Sequence, residues 1–268
     1  MKHSRSTNRW FPGILSLSEQ GSAGGAGMRL ITGAILLAFL PGVAVAFGHL
    51  AMTLWATDKI LAPLAAGTVA GILLDQFLLR RWAGFETFEH ELTHALAALL
   101  CLRRVENFIV TRHRGGWVRH SGGFGGELAD DFIGLAPYVL PTFTAAAVLL
   151  RPFVPGSWFP WYDGGIGLSF GFHAWSTLRE IRHNWSSEAF ASAGTGEAVQ
   201  TDIARRGFLY SLIYIVTVTL AIHGVLLAIL LHGYSGVPAW GRAAWATTAA
   251  LAGWAGRELG RLARRVAP

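Results

Sequence analysis

The sequence predicts an all-α polytopic membrane protein with six or seven transmembrane helices and one short β-hairpin. Two observations carry this. Only 14% of the 268 residues are charged, and 52% are hydrophobic. A soluble domain carries about 25% charge. The apolar residues also fall in long uncharged runs, and a helix needs about 20 of them to cross a bilayer core. Cys101 is the only cysteine, which excludes a disulfide scaffold. The net charge is +6, but its arginines sit in pairs at the ends of apolar runs: Arg80-Arg81, Arg103-Arg104, Arg205-Arg206 and Arg264-Arg265. That placement marks membrane boundaries and argues against a nucleic-acid partner.

Residues 1–27 are polar and rich in Ser, Gly and Arg, and read as disordered. Met28-Arg29 then opens onto an apolar run in a signal-anchor pattern, so Met28 is a candidate true start. Residues 28–81 form two spans, Leu30 to Leu54 and Ile60 to Leu79, the second with Asp75 as its one charge. Residues 82–182 form a three-helix core. Its first helix, Trp82 to Leu102, carries Glu86, Glu89, His90, Glu91 and His94. The loop 103–127 follows, with β-prone Val105–Thr111, a turn at Arg114-Gly115-Gly116 and a second strand at Trp117–His120. Phe132 to Leu150 is an uncharged span, and Gly164 to Ile181 is a shorter one holding His173. Residues 183–207 read as a flexible loop. Residues 208–268 supply a span from Phe208 to Leu231, a weaker one from about Pro238 to Trp254, and a basic tail. With seven spans, most Lys and Arg fall on the side of the hairpin and C-terminus, which the positive-inside rule makes cytoplasmic.

The chemistry concentrates in Glu89-His90-Glu91-Leu92-Thr93-His94, an HExxH string. Residues i and i+4 share one helix face, so His90 and His94 can ligate one metal. Glu91 lies beside them and is placed to take a proton from a zinc-bound water, whose pKa zinc lowers to about 7. An ionisable cluster inside an apolar helix is expensive and therefore points to function.

A catalytic zinc needs a third protein ligand and an open position. His173 is the first candidate. On helices running parallel, its depth differs from that of His94 by roughly 5 Å, at 1.5 Å per residue. Asp202 and Asp163 are the alternatives. Asp202 requires its loop to fold back, and Asp163 stands at the entrance to the span. Glu86, one turn before His90, is a candidate to orient it. Asp75, an intramembrane acid, is a candidate pathway residue or helix contact. His49, His223 and His232 read as structural.

These features together resemble the site-2 protease family: HExxH in a span, a hairpin loop, a Gly134-Leu135-Ala136-Pro137-Tyr138 span and a further polar-bearing span. The resemblance runs from about Trp82 to Ile181. The stretch from His173 through Gln200-Thr201-Asp202 to Gly207 is similar to a divergent bacterial branch of that group. The resemblance implies one zinc per chain held by His90 and His94, Glu91 as catalytic base, and an acidic third ligand on the third core helix. It implies a protease of the bacterial inner membrane acting on membrane-protein or peptide substrates. The competing expectation is a non-proteolytic scaffold, or a small transporter using Asp75 and buried histidines. The hairpin edge is a candidate surface for holding a substrate extended. Oligomeric state is not legible.

Overall fold

The computed structural model describes residues 23–79, 83–111, 115–184 and 202–266. Helices dominate. In chain order they are α1 (Ala23–Trp55), α2 (Asp58–Phe77), α3 (Ala83–Leu100), α4 (Gly126–Val139), α5 (Thr142–Leu150), α6 (Phe159–Asn184), α7 (Asp202–Arg206), α8 (Phe208–His232) and α9 (Gly236–Val266). Strands β1 (Arg104–Thr111) and β2 (Gly115–Ser121) separate α3 from α4. They pair antiparallel in the register Val105↔His120, Phe108↔Val118 and Thr111↔Gly115, with an irregularity between Val105 and Asn107. The expected hairpin is therefore present and slightly longer than its β-prone residues.

Among the described residues three helices are long and apolar enough to cross a membrane: the Gly25–Trp55 part of α1, α2 and α8. A fourth is gained if α4 and α5 form one broken span. The expected six or seven spans are not confirmed by this count. Helices α3, α6 and α9 fall outside the set: α3 carries Glu86, Glu89 and Glu91, and the apolar residues of α6 are diluted by Gly, Ser, Asp163 and His173. The uncharged run Phe132 to Leu150 is not a straight span either, because α4 and the following helix bend by 81°. Pro141 lies in the break and Leu140 before it is extended, at φ −109° and ψ 101°. Proline disfavours the helical region for the residue preceding it.

Two further boundaries differ from the expectation. Helix α1 begins at Ala23, inside the segment read as disordered, of which residues 1–22 lie outside the described set. Helix α9 runs on through the basic tail to Val266. Most of the loop 183–207, residues 185–201, is also outside the described residues.

The most extensive helix pairing joins α2 to α6, and glycine makes it possible. A Cβ on Gly67 would come within 1.9 Å of the Gly164 carbonyl, and one on Gly171 within 2.1 Å of the Thr68 carbonyl. Without side chains there, the two backbones approach closely and gain van der Waals contact, which drives helix association where lipid leaves no hydrophobic difference. Elsewhere α1 packs on both α8 and α9. Gly33 of α1 faces Tyr210 near the start of α8, and Gly42 faces Ala244 and Thr248 of α9. With α8 and α9 joined by a short turn, α9 runs antiparallel to α1 and its C-terminal end returns to the side where α1 begins. That side also holds α7, the start of α4 and the hairpin.

Small residues again set the approach of α3 to α4. Ala97 and Ala98 are fully buried against Ile133 and Ala136. This contact brings the HExxH helix face against the α4 backbone and fixes the site described next.

Candidate metal centre

The site begins with the spacing on α3. His90 and His94 stand one above the other, with their Nε2 atoms 3.1 Å apart. Each ring is oriented through its other nitrogen. His94 Nδ1 lies 2.7 Å from the Ile133 carbonyl of α4. His90 Nδ1 lies 3.1 Å from Glu180 Oε2 of α6, and Glu180 Oε1 in turn accepts from the Tyr138 hydroxyl at 2.8 Å. A carbonyl only accepts, so His94 donates from Nδ1. The carboxylate holds His90 in the same tautomer. Both Nε2 atoms then face each other as bare lone pairs.

Asp202 supplies a third. Its Oδ2 lies 3.5 Å from His94 Nε2, and ligand atoms of His90, His94 and Asp202 all fall within 4.8 Å of one another. Three lone pairs pointed at one spot repel unless a cation lies between them. Tetrahedral zinc, with ligands at about 2.0–2.1 Å, separates neighbouring ligand atoms by roughly 3.4 Å. The His90–His94 and His94–Asp202 distances are close to that spacing, and His–His–carboxylate is a donor set that suits zinc and leaves a fourth position open. The residues therefore fit the ion.

Glu91 is buried on the neighbouring face of α3. The hairpin covers it: a Cβ on Gly116 of β2 would lie 2.6 Å from Glu91 Cγ and 2.6 Å from the Ile109 carbonyl. Only glycine lets the strand come this close. Below the site, the Thr93 hydroxyl meets that of Thr142 at 2.6 Å, tying α3 to the break between α4 and α5. Phe88 of α3 meets Phe108 of β1 edge-on, which docks the hairpin on the same helix.

The structure does not bring His173 to the cluster. His173 Nδ1 lies 2.9 Å from Glu89 Oε1, with both side chains buried. Glu89 and His90 are successive on α3, so their side chains point about 100° apart. His173 lies along the Glu89 direction, two turns of α6 before Glu180. His173 thus faces Glu89 and not the His90–His94 pair. Asp163 is farther still. Seventeen residues separate it from Glu180, about 25 Å along the axis at 1.5 Å per residue. There it is bound two-pronged by Arg151, at 2.6 and 2.9 Å. Of the three candidates, Asp202 of α7 is the one whose carboxylate comes near both His90 and His94.

Glu86 and Asp75 also have other partners than expected. Arg179 of α6 binds both oxygens of Asp75, at 2.7 and 3.3 Å, and also pairs with Glu86. Glu86 thus turns to Arg179, not to His90, and Asp75 is a buried helix contact joining α2 to α6. The carboxylate that meets His90 is that of Glu180. His223 of α8 bonds the Thr219 carbonyl in its own helix, as a structural histidine does. In the hairpin, burial and the neighbouring Arg103 hold His120 below the usual histidine range.

Comparison with known proteins is in keeping with this geometry. No curated protein and no solved structure matches the chain. A family model described as Peptidase M50B-like matches residues 63–158, from α2 through α3, the hairpin, α4 and α5. The matched segment contains His90, Glu91 and His94, and it supports membership of the site-2 protease family, a membrane metallopeptidase kind.

Proposed function

We propose that this chain is a zinc-dependent intramembrane endopeptidase that cleaves transmembrane or membrane-proximal peptide segments. The observation that carries the reading is the convergence of His90 Nε2, His94 Nε2 and Asp202 Oδ2, with each histidine's Nδ1 already engaged, beside the buried Glu91. His90, His94 and Asp202 would hold the ion. When bound, zinc supplies Lewis-acid polarisation of a water and of the scissile carbonyl.

The remaining work belongs to the chain. Glu91 accepts the water proton at its carboxylate and returns it to the leaving amine, a role worth roughly 10²–10⁴-fold in rate. Glu180 and Ile133 hold the two imidazoles in the tautomer that exposes Nε2. The hairpin roof limits water at Glu91 and offers strand edges along which an unwound substrate segment can be held extended. A helical substrate must unwind before attack, because its backbone is fully bonded.

The transporter alternative loses its main support, since Asp75 is closed in the Arg179 pair. The scaffold alternative differs only in turnover. We place the protein in the bacterial inner membrane with the hairpin and C-terminus cytoplasmic. The shared side of α7, the hairpin and the end of α9 supports this, as does the concentration of Arg there. The test is Glu91→Gln in the full chain in detergent. It retains about one zinc per chain and loses cleavage of a membrane-segment substrate. Cleavage that survives the substitution contradicts the proposal.

A further inference from the structure

The third ligand stands on a helix of one turn, α7, which has too little length to fix a side chain by itself. The geometry points to Arg206 as the positioning residue that holds Asp202 in place, with Asp131 and Gly134 of α4 as its cradle. This rests on the metal-site reading above and extends it to residues that do not touch the ion.

Arg206 is the last residue of α7, and its side chain is 9% exposed. The guanidinium is engaged from both sides. Nη1 donates to the Asp202 carbonyl at 3.0 Å and lies 3.4 Å from Asp202 Oδ1. That contact occupies the carboxylate oxygen opposite the one aimed at His94. Nη2 donates to the Asp130 carbonyl of α4 at 2.8 Å, and Nε lies 3.2 Å from Asp131 Oδ1. The other oxygen of Asp131 is bound by Arg29 of α1 at 3.3 Å. A continuous chain of charge thus runs from α1 through Asp131 and Arg206 to the proposed ligand.

Gly134 supplies the space. A Cβ at that position would fall 1.8 Å from Arg206 Nη2 and 2.2 Å from Cζ. The guanidinium lies flat on the bare α4 backbone, one residue past Ile133, whose carbonyl orients His94. One short stretch of α4 therefore sets both His94 and, through Arg206, Asp202. A planar fork with five donors suits this task, whereas a lysine ammonium is a single point charge.

The test measures zinc affinity by chelator competition on the full chain in detergent, with Asp202→Ala as the reference. Arg206→Gln weakens zinc binding by about 10–100-fold, the usual cost of losing an orienting partner. Gly134→Ala, which removes no charge and only fills the cradle, produces a loss of the same order. Arg206→Lys recovers part of it. Gly134→Ala keeps the test alive should Arg206→Gln fail to fold. Near wild-type zinc affinity in Gly134→Ala or Arg206→Gln, while Asp202→Ala loses the metal, overturns the role of Arg206. Full zinc affinity in Asp202→Ala overturns the ligand reading beneath it.

Discussion

Helix α3 presents two histidine–glutamate couples at neighbouring positions, and they differ in what they leave over. Glu89 pairs with His173, and His90 pairs with Glu180. The first couple is buried and turned away from the HExxH face, and no third acidic or histidine ligand gathers on it among the described residues. The second couple sits where His94 and Asp202 converge, and it leaves His90 Nε2 pointing at two more lone pairs. The same two residue types therefore serve a structural clamp in one case and an orienting shell in the other. Pairing is common to both, and burial belongs to the first alone. The unspent lone pair distinguishes the site.

Substitutions can break this contrast, and the largest effect is expected at the ligands. His90→Ala or His94→Ala abolishes stoichiometric zinc binding, as metal analysis of the purified protein will show. The reverse holds for the clamp. His173→Ala keeps zinc and lowers stability by about 3–5 kcal/mol, because it strands Glu89 in the interior. A thermal melt with and without zinc separates these two outcomes.

The orienting shell comes next. Glu180→Gln keeps the fold and weakens zinc by roughly 10–100-fold, since Gln accepts more weakly from His90 Nδ1. Chelator competition reads this, and an unchanged affinity would remove Glu180 from the site. At the α2–α6 contact, away from the cluster, Gly67→Ala forces the backbones apart and costs about 1–3 kcal/mol as an overpacking substitution. Zinc affinity in detergent is expected to stay within a few-fold.

The smallest effect is at the hairpin. The folded state holds His120 below its ordinary value, through burial and then Arg103. Its folded form therefore binds fewer protons than the unfolded form. Stability from this group is complete above the ordinary histidine range and is lost as pH falls below it. His120→Gln removes that component from a pH series of melting temperatures.

Much of this was legible in the residues. Uncharged runs locate α1, α2 and α8, because a bilayer imposes a length that sequence displays directly. Gly115-Gly116 and the β-prone flanks locate the hairpin. The i, i+4 spacing of His90 and His94 needs only a helix to bring them together. The third ligand was harder, because it depends on facts that span counting does not contain. Depth along α6 favoured His173, but depth says nothing about which face of α3 a residue meets. Asp202 follows the segment 185–201, and α7 meets α4 through Arg206. Arg206 itself read as one of a boundary pair. One local signal was present: a glycine at position 134, within a span whose neighbours are bulky, leaves room for something large. Glu180 and Arg179 were similarly hidden, since two adjacent charges near a helix end look interfacial until α2 and α3 are packed against them.

The central claim is that the third ligand is Asp202 and that the Glu89–His173 couple plays no part in holding the metal. It is tested most directly by zinc content per chain in Asp202→Ala beside His173→Gln, the latter chosen because Gln can still donate to Glu89. The structure predicts loss of stoichiometric zinc in Asp202→Ala and about one zinc per chain in His173→Gln. Zinc retained in Asp202→Ala and lost in His173→Gln would contradict it.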